Sequence, residues 1–94
     1  MKEPCIYILT NKPLGTLYIG VSSNLIQRIA QHQQGTFKGF SHKYNLKQLV
    51  YYEQFDCMDD AIYREKQLKN WHRQWKVNLI TEFNPQWQDL SDCL

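Results

Sequence analysis

The sequence predicts a small α+β domain, a three-stranded antiparallel sheet flanked by three helices. Three observations carry that class. Residues 5–9, 17–21 and 46–55 are rich in β-branched and aromatic side chains, the composition that suits a pleated, half-buried surface. The first two of these runs are separated by Asn11-Lys12-Pro13-Leu14-Gly15, which is turn chemistry and so reads as a hairpin. Between and after the strands, apolar residues recur at helical spacing. The chain has 94 residues, 43% of them hydrophobic and 14% aromatic. That is one compact domain with a core of its own, and it excludes a two-lobed enzyme with a cleft between domains.

Taken in order, a four-residue loop at 11–14 places Thr10 against Gly15 and Tyr7 directly opposite Tyr18. The two phenols then share a sheet face with Cβ atoms ~5 Å apart. Ser22-Ser23-Asn24 offers N-cap side chains. Leu25, Ile26, Ile29 and Ala30 form the first helical stripe, which stops at Gly35, and Arg28 and His32, four apart, share its flank. Residues 35–45 are the longest loop and the candidate mobile segment. The third strand, with Leu49, Val50, Tyr51, Tyr52 and Phe55, is buried on both faces for part of its length. A second helix starts near Asp56, whose carboxylate can cap it, and runs to about Trp71. Its stripe is Met58, Ala61, Ile62 and Leu68, and Glu65 falls in the centre. The third helix, 73–83, turns Trp75, Leu79 and Phe83 inward and ends at Asn84-Pro85. The expected organisation is one domain over 1–94, with a core at about 4–83 and a tail at 84–94 that is poorly ordered except where Trp87 anchors it.

No run approaches the ~20 apolar residues of a membrane span, and Met1-Lys2-Glu3-Pro4 is too polar for a signal peptide. Cys5, Cys57 and Cys93 are odd in number and widely spaced, with no zinc-finger spacing, so a reducing cytoplasm is expected. The net charge of +2 is mild, but its distribution is uneven. Residues 64–76 carry Arg64, Lys66, Lys69, Arg73, Lys76 and His72 against the single acid Glu65, whereas 53–60 holds Glu53, Asp56, Asp59 and Asp60 and no base. A basic stretch of this kind is compatible with a phosphate-binding face.

Glu65 is the oddest position, because an ionised carboxylate in an apolar stripe is costly unless partnered. Three partners are open: an i,i+4 pair with Lys69, a divalent ion needing only one or two protein oxygens, or a raised pKa and a general-base role. Tyr7 and Tyr18 alone are ordinary cross-strand filler, and Arg28 and His32 alone an ordinary helix edge. Together with Glu65 they are the parts of a phosphodiester-cleaving site: a base for water, a cation for developing phosphate charge, and a metal for the leaving oxygen.

At these residues the sequence resembles the GIY-YIG nuclease domain, found in the incision domain of bacterial excision-repair nucleases, in some homing and restriction endonucleases, and as small stand-alone bacterial proteins. The motif pair stands here as Cys5-Ile6-Tyr7 and Tyr18-Ile19-Gly20, followed by Ser23-Asn24-Leu25, Arg28 and His32. Gly39-Phe40 with Lys43-Tyr44, the run 49–53, and 61–69 with Trp71 are similar to the stand-alone subfamily. The resemblance implies the fold above, Tyr18 as the water-activating phenol, Tyr7 as its partner and Arg28 as the phosphate-stabilising cation. It also implies a site role for His32, and Glu65 as the ligand of one Mg²⁺ or Mn²⁺. Cys5 departs from the motif's glycine, Val21 stands where several members place a lysine, and Asn78 is only a loose match to a late asparagine. The function so implied is a metal-dependent endonuclease acting on DNA phosphodiester bonds in repair or recombination. The alternative is a non-cleaving nucleic-acid-binding module. Phosphate contacts are expected from Lys38, Lys43, Lys66, Lys69, Arg73 and Lys76, with a protein partner supplying specificity, since so small a surface reads few bases.

Overall fold

The computed structural model describes residues 3–35, 39 and 43–94. Within them β1 (Cys5–Thr10), β2 (Leu17–Ser22) and β3 (Gln48–Gln54) form one antiparallel sheet in the order β2-β1-β3. The helices are α1 (Leu25–Gln33), α2 (Met58–Asn70) and α3 (Arg73–Phe83), and a turn of 3₁₀ helix at Leu90–Cys93 follows them. The α+β class and the three-stranded sheet are as expected.

Every residue of β1 is buried, because the strand is central and both its faces are covered. On one face Ile6, Ile8 and Ile19 pack with Ala61 and Leu68 of α2, Ile80 of α3, and Trp87. On the other, Cys5, Tyr7 and Leu9 pack with Leu25 and Ile29 of α1 and with Leu46 and Leu49. A bulge between Ile8 and Leu9 leaves Val50 of β3 without a partner on β1, which lets consecutive Val50 and Tyr51 both bury toward α2. That irregularity is why the third strand reads as buried on both faces.

Three local expectations are corrected. The hairpin register differs by two residues: Thr10 pairs with Leu17, Leu9 with Tyr18 and Tyr7 with Gly20. Gly15 and Thr16 stay in the loop because Asn11 Oδ1 accepts the Thr16 N–H (3.2 Å) and Lys12 O accepts the Gly15 N–H (2.9 Å). A shift of two preserves the faces, so Tyr7 and Tyr18 remain on one side as diagonal neighbours. The α2 N-cap is Cys57 and makes no side-chain capping bond; Asp56 lies one residue too early, and Asp59 and Asp60 supply the negative charge of the first turn. The inward line of α3 is rotated by about one residue, with Ile80 buried while Trp75 and Phe83 are half exposed. The large rings rest edge-on against neighbours instead, Trp75 on Trp71 and Phe83 on Tyr51 and Tyr52.

The tail has more ties than the single expected anchor. Trp87 is buried and its indole donates to Thr81 Oγ1 (2.9 Å). The Asn84 amide donates to Val50 O (3.2 Å) and Gln88 O (2.8 Å), and Asp89 Oδ1 accepts the Leu49 N–H (3.1 Å). These bonds cover polar backbone on the outer side of β3, an edge strand that would otherwise template pairing with another chain.

Candidate active site

The site begins with Tyr7 on the central strand. Its ring has no exposed surface, and its Oη lies 3.0 Å from His32 Nε2. His32 reaches it from α1, a helix held in place by Asn24, whose side chain accepts the Gln27 N–H, and by Leu25 and Ile29, buried against the same sheet face. Tyr18 completes the group from the edge strand β2. Ring centroids are 6.2 Å apart for Tyr7–Tyr18, 5.7 Å for Tyr7–His32 and 5.5 Å for Tyr18–His32. Each ring touches the other two, with tilted or edge contacts of the favourable kind.

Gly20 makes this triangle possible. It stands across from Tyr7 on β2, and a Cβ added there would overlap the Tyr7 ring and hydroxyl. The absence of a side chain lets the phenol lie across the strand toward His32 and Tyr18. Pattern reading did not assign Gly20 a part in the site; its place two residues after Tyr18, on the same face, was the available signal once the register was known. Cys5 lies two residues before Tyr7 in the same core, its thiol donating to Ser22 O (3.4 Å), and burial pushes that thiol's pKa up. A side chain at this motif position is packed, not strained.

Arg28, one helical turn before His32, is half-buried and acts on both groups. Burial raises the Tyr7 pKa well above the ordinary phenol value, proximity to Tyr18 adds to this, and Arg28 opposes it through its charge and a hydrogen bond. Burial lowers the His32 pKa, and the Arg28 charge lowers it further. Tyr7 is therefore a neutral phenol and His32 a neutral imidazole at pH 7.

A pH prediction follows from His32. The unfolded chain protonates it near its ordinary value of 6.5, whereas the folded site resists the proton. The stability contributed is intact above pH 6.5 and is lost as pH falls below it toward the depressed folded value, the unfolded state binding more protons in that window. Urea midpoints measured at pH 7.5 and pH 5 should fall more for the wild type than for His32→Gln; equal falls would show that His32 is not the linked group.

Glu65 occupies a different position. It lies between Ala61 and Leu68 on α2, beneath the sheet face opposite the tyrosines. Its side chain is 15% exposed, and Lys69 Nζ lies 3.3 Å from Oε2. The structure thus groups Tyr7, Tyr18, His32 and Arg28 directly, while Glu65 stands on the helix that packs against β2, the strand carrying Tyr18. No group of three or more His, Cys, Asp or Glu side chains among the described residues could hold a metal. A lone carboxylate, desolvated and offering hard oxygen donors, still suits a magnesium-type ion that keeps most of its waters.

The basic residues are dispersed in their engagement. Lys66 is exposed and Lys76 half-buried, and Lys69 pairs with Glu65. Lys43 Nζ lies 5.4 Å from the Tyr44 ring centroid, and Lys38 lies outside the described residues. Arg73 is used structurally: its Nη2 donates to Leu14 O (2.7 Å) and Gly15 O (2.8 Å), stapling the hairpin loop to α3. A polar network that the sequence did not flag joins β3 to α2, with the Tyr51 hydroxyl donating to Glu53 and Arg64 pairing with the same carboxylate at 3.1 Å.

Two tyrosines, an imidazole and a guanidinium thus gather beside the β2 edge of a small antiparallel sheet in a compact α+β domain. The chain belongs to the GIY-YIG family: the model of the GIY-YIG catalytic domain matches residues 3–78. Its relatives include UPF0213 proteins of bacteria. One from Staphylococcus saprophyticus is 37% identical over 82 residues, 87% of this chain and 99% of the relative. One from Staphylococcus haemolyticus is 33% identical over the same shares, and one from Pediococcus pentosaceus is 35% identical over 69% of this chain and 68% of the relative. No solved structure gives a significant match. Among the described residues no helix is long and apolar enough to cross a membrane.

Proposed function

We propose that this chain, acting as one domain over its 94 residues, is a metal-dependent endonuclease that hydrolyses DNA phosphodiester bonds. The observation that supports this best is the contact triangle of Tyr7, Tyr18 and His32 with Arg28 beside it, in a member of a nuclease family. Burial divides the labour. Tyr7 has no exposed surface and cannot touch a macromolecular substrate, so its hydroxyl positions the cluster through His32. Tyr18, only partly buried on the edge strand, is the phenol that meets the attacking water, and Arg28 meets the phosphate as charge develops on it. Neutral His32 shares a hydrogen bond between Nε2 and the Tyr7 hydroxyl.

Glu65 would hold the Mg²⁺ or Mn²⁺, which when bound supplies charge stabilisation at the leaving oxygen. A second reading, a module that binds nucleic acid without cutting, draws on two specific observations: Lys69 occupies the Glu65 carboxylate, and Val21 supplies no cation after the second motif. Incubation with single-stranded, nicked, branched and duplex oligonucleotides, with and without Mg²⁺ or Mn²⁺, separates the two. Metal-dependent cleavage of any substrate supports the enzyme, and binding without cleavage across the panel supports the module. Repair or recombination, where branched and damaged strands arise, is the process this chemistry serves, with a partner protein adding specificity. The three free thiols suit a reducing cytoplasm.

Phosphate contacts are assigned to Lys66, Lys69, Lys76 and Lys43, with Lys38 and Arg73 as further contributors. Duplex affinity should then fall with salt at a log–log slope of about −0.9 per phosphate contacted. Titration between 50 and 200 mM salt checks this, and an affinity that does not change refutes the basic-face assignment.

A further inference from the structure

The junction of α2 and α3 carries a second surface that the hydrolytic cluster does not use. Tyr63, Lys66, Gln67 and Asn70 fall at i, i+3, i+4 and i+7 on α2 and are all exposed, so one solvent-facing stripe alternates an aromatic, a cation and two amides. With Trp71 they line a cleft of ≈ 360 Å³. On the other side of Trp71 a second cleft of ≈ 290 Å³ is lined by Trp71, Trp75, Asn78, Leu79 and Glu82.

The two tryptophans are held, not loose. The Arg64 guanidinium lies 5.2 Å from the Trp71 centroid and is itself fixed by Glu53 at 3.1 Å. Trp75 stands perpendicular to Trp71, with centroids 5.8 Å apart. Yet Tyr63 is 72% and Trp75 54% exposed, a cost in water that a purely structural role does not require. Cations flank the rings at Lys66, Lys69 and Lys76, while Asp59 and Asp60 close the patch at the start of α2 and Glu82 closes it on α3.

We infer that this surface is a stacking platform for unpaired bases of a DNA strand, with Tyr63 and Trp75 as the rings on which bases lie and Lys66 and Lys76 following the backbone. Exposed aromatics interleaved with cations are what sequence-tolerant single-strand binding needs, since every base presents a π-face. The amides of Gln67, Asn70 and Asn78 add donors and acceptors for base edges. The inference rests on the nuclease reading and narrows it: the preferred substrates carry an unpaired segment, as flaps, bubbles and branches do.

The test is binding in EDTA, so that cleavage plays no part. Fluorescence anisotropy compares a labelled oligothymidylate with a blunt duplex for the wild type, Trp75→Ala, Tyr63→Ala and Trp75→Phe. Each alanine variant should weaken oligothymidylate binding about tenfold and leave duplex binding within about twofold, and Trp75→Phe should recover most of the loss. Circular dichroism melting confirms that the exposed substitutions keep the fold. Unchanged oligothymidylate affinity in both alanine variants overturns the platform, as does equal weakening on both DNAs. A wild-type dimer that the alanine variants dissociate would assign the patch to a second copy of the chain. If the platform fails while metal-dependent cleavage of duplex persists, the nuclease reading stands alone.

Discussion

Replacing Glu65 with glutamine should lower metal-dependent cleavage by at least ~10²-fold, the scale on which the loss of a single charge-stabilising group acts in a preorganised site. The substitution keeps side-chain size and removes only the charge. Its structural consequence is small, because the partner released, Lys69, is half-exposed and rehydrates at little cost. The folded state should hold its stability or gain a little without metal, since an ionised group leaves an apolar stripe. Tyr18→Phe tests the other half of the mechanism. It deletes one hydroxyl from a ring that still packs against Tyr7 and His32, so cleavage should fall by ~10²–10⁴-fold, the range of general acid–base contributions, while duplex affinity in EDTA stays unchanged. Single-turnover rates on whichever oligonucleotide the wild type cuts best provide the measurement. If both variants cut as fast as the wild type, the assignment of Tyr18 and Glu65 is wrong.

The two lie on opposite sides of the sheet, Tyr18 among the rings against α1 and Glu65 on α2, whose helix packs against β2. This separation could not be read from the chain. Helical spacing shows that Glu65 shares a stripe with Ala61 and Leu68, and strand alternation shows that Tyr7 and Tyr18 share a face. Neither says which sheet face each helix covers, because that depends on connections and sheet order. The strands, the span of α3 and the Tyr7–Tyr18 side were legible because they rest on local periodicity, and parity survives a two-residue slip in register. The slip itself was not legible: the loop is closed by the Asn11 side chain and stapled by Arg73 from a helix 58 positions away, a side-chain closure and a long-range bond that turn propensities do not contain. The rotation of α3 was missed for a related reason. Trp75 and Phe83 score as core residues by hydrophobicity, but their neighbours offer ring edges and not a cavity, so they stay half out while Ile80 takes the interior.

The second large effect should come from a methyl group. Gly20→Ala places a Cβ where the Tyr7 ring and hydroxyl lie. Space on the far side is closed, since Tyr7 has no exposed surface, its hydroxyl is held at 3.0 Å by His32, and Tyr18 packs on it. Either β2 moves away from β1 at the Tyr7–Gly20 pair or the phenol swings out of its contact with His32. Overpacking a buried site in this way costs ~1–3 kcal/mol, which a urea midpoint resolves readily. A strand shift would move Tyr18, two residues away on β2, and a ring shift would dismantle the triangle, so cleavage should fall by more than the stability loss explains even where the protein remains fully folded. The neutral His32 environment should go with it: once Tyr7 is displaced, water reaches the imidazole and its pKa returns toward 6.5, the ordinary value, a change that NMR titration of the His32 ring resonances follows directly. Gly20→Ala with full activity, an unshifted midpoint and an unchanged His32 titration would mean that the ring triangle is not the preorganised element of the site.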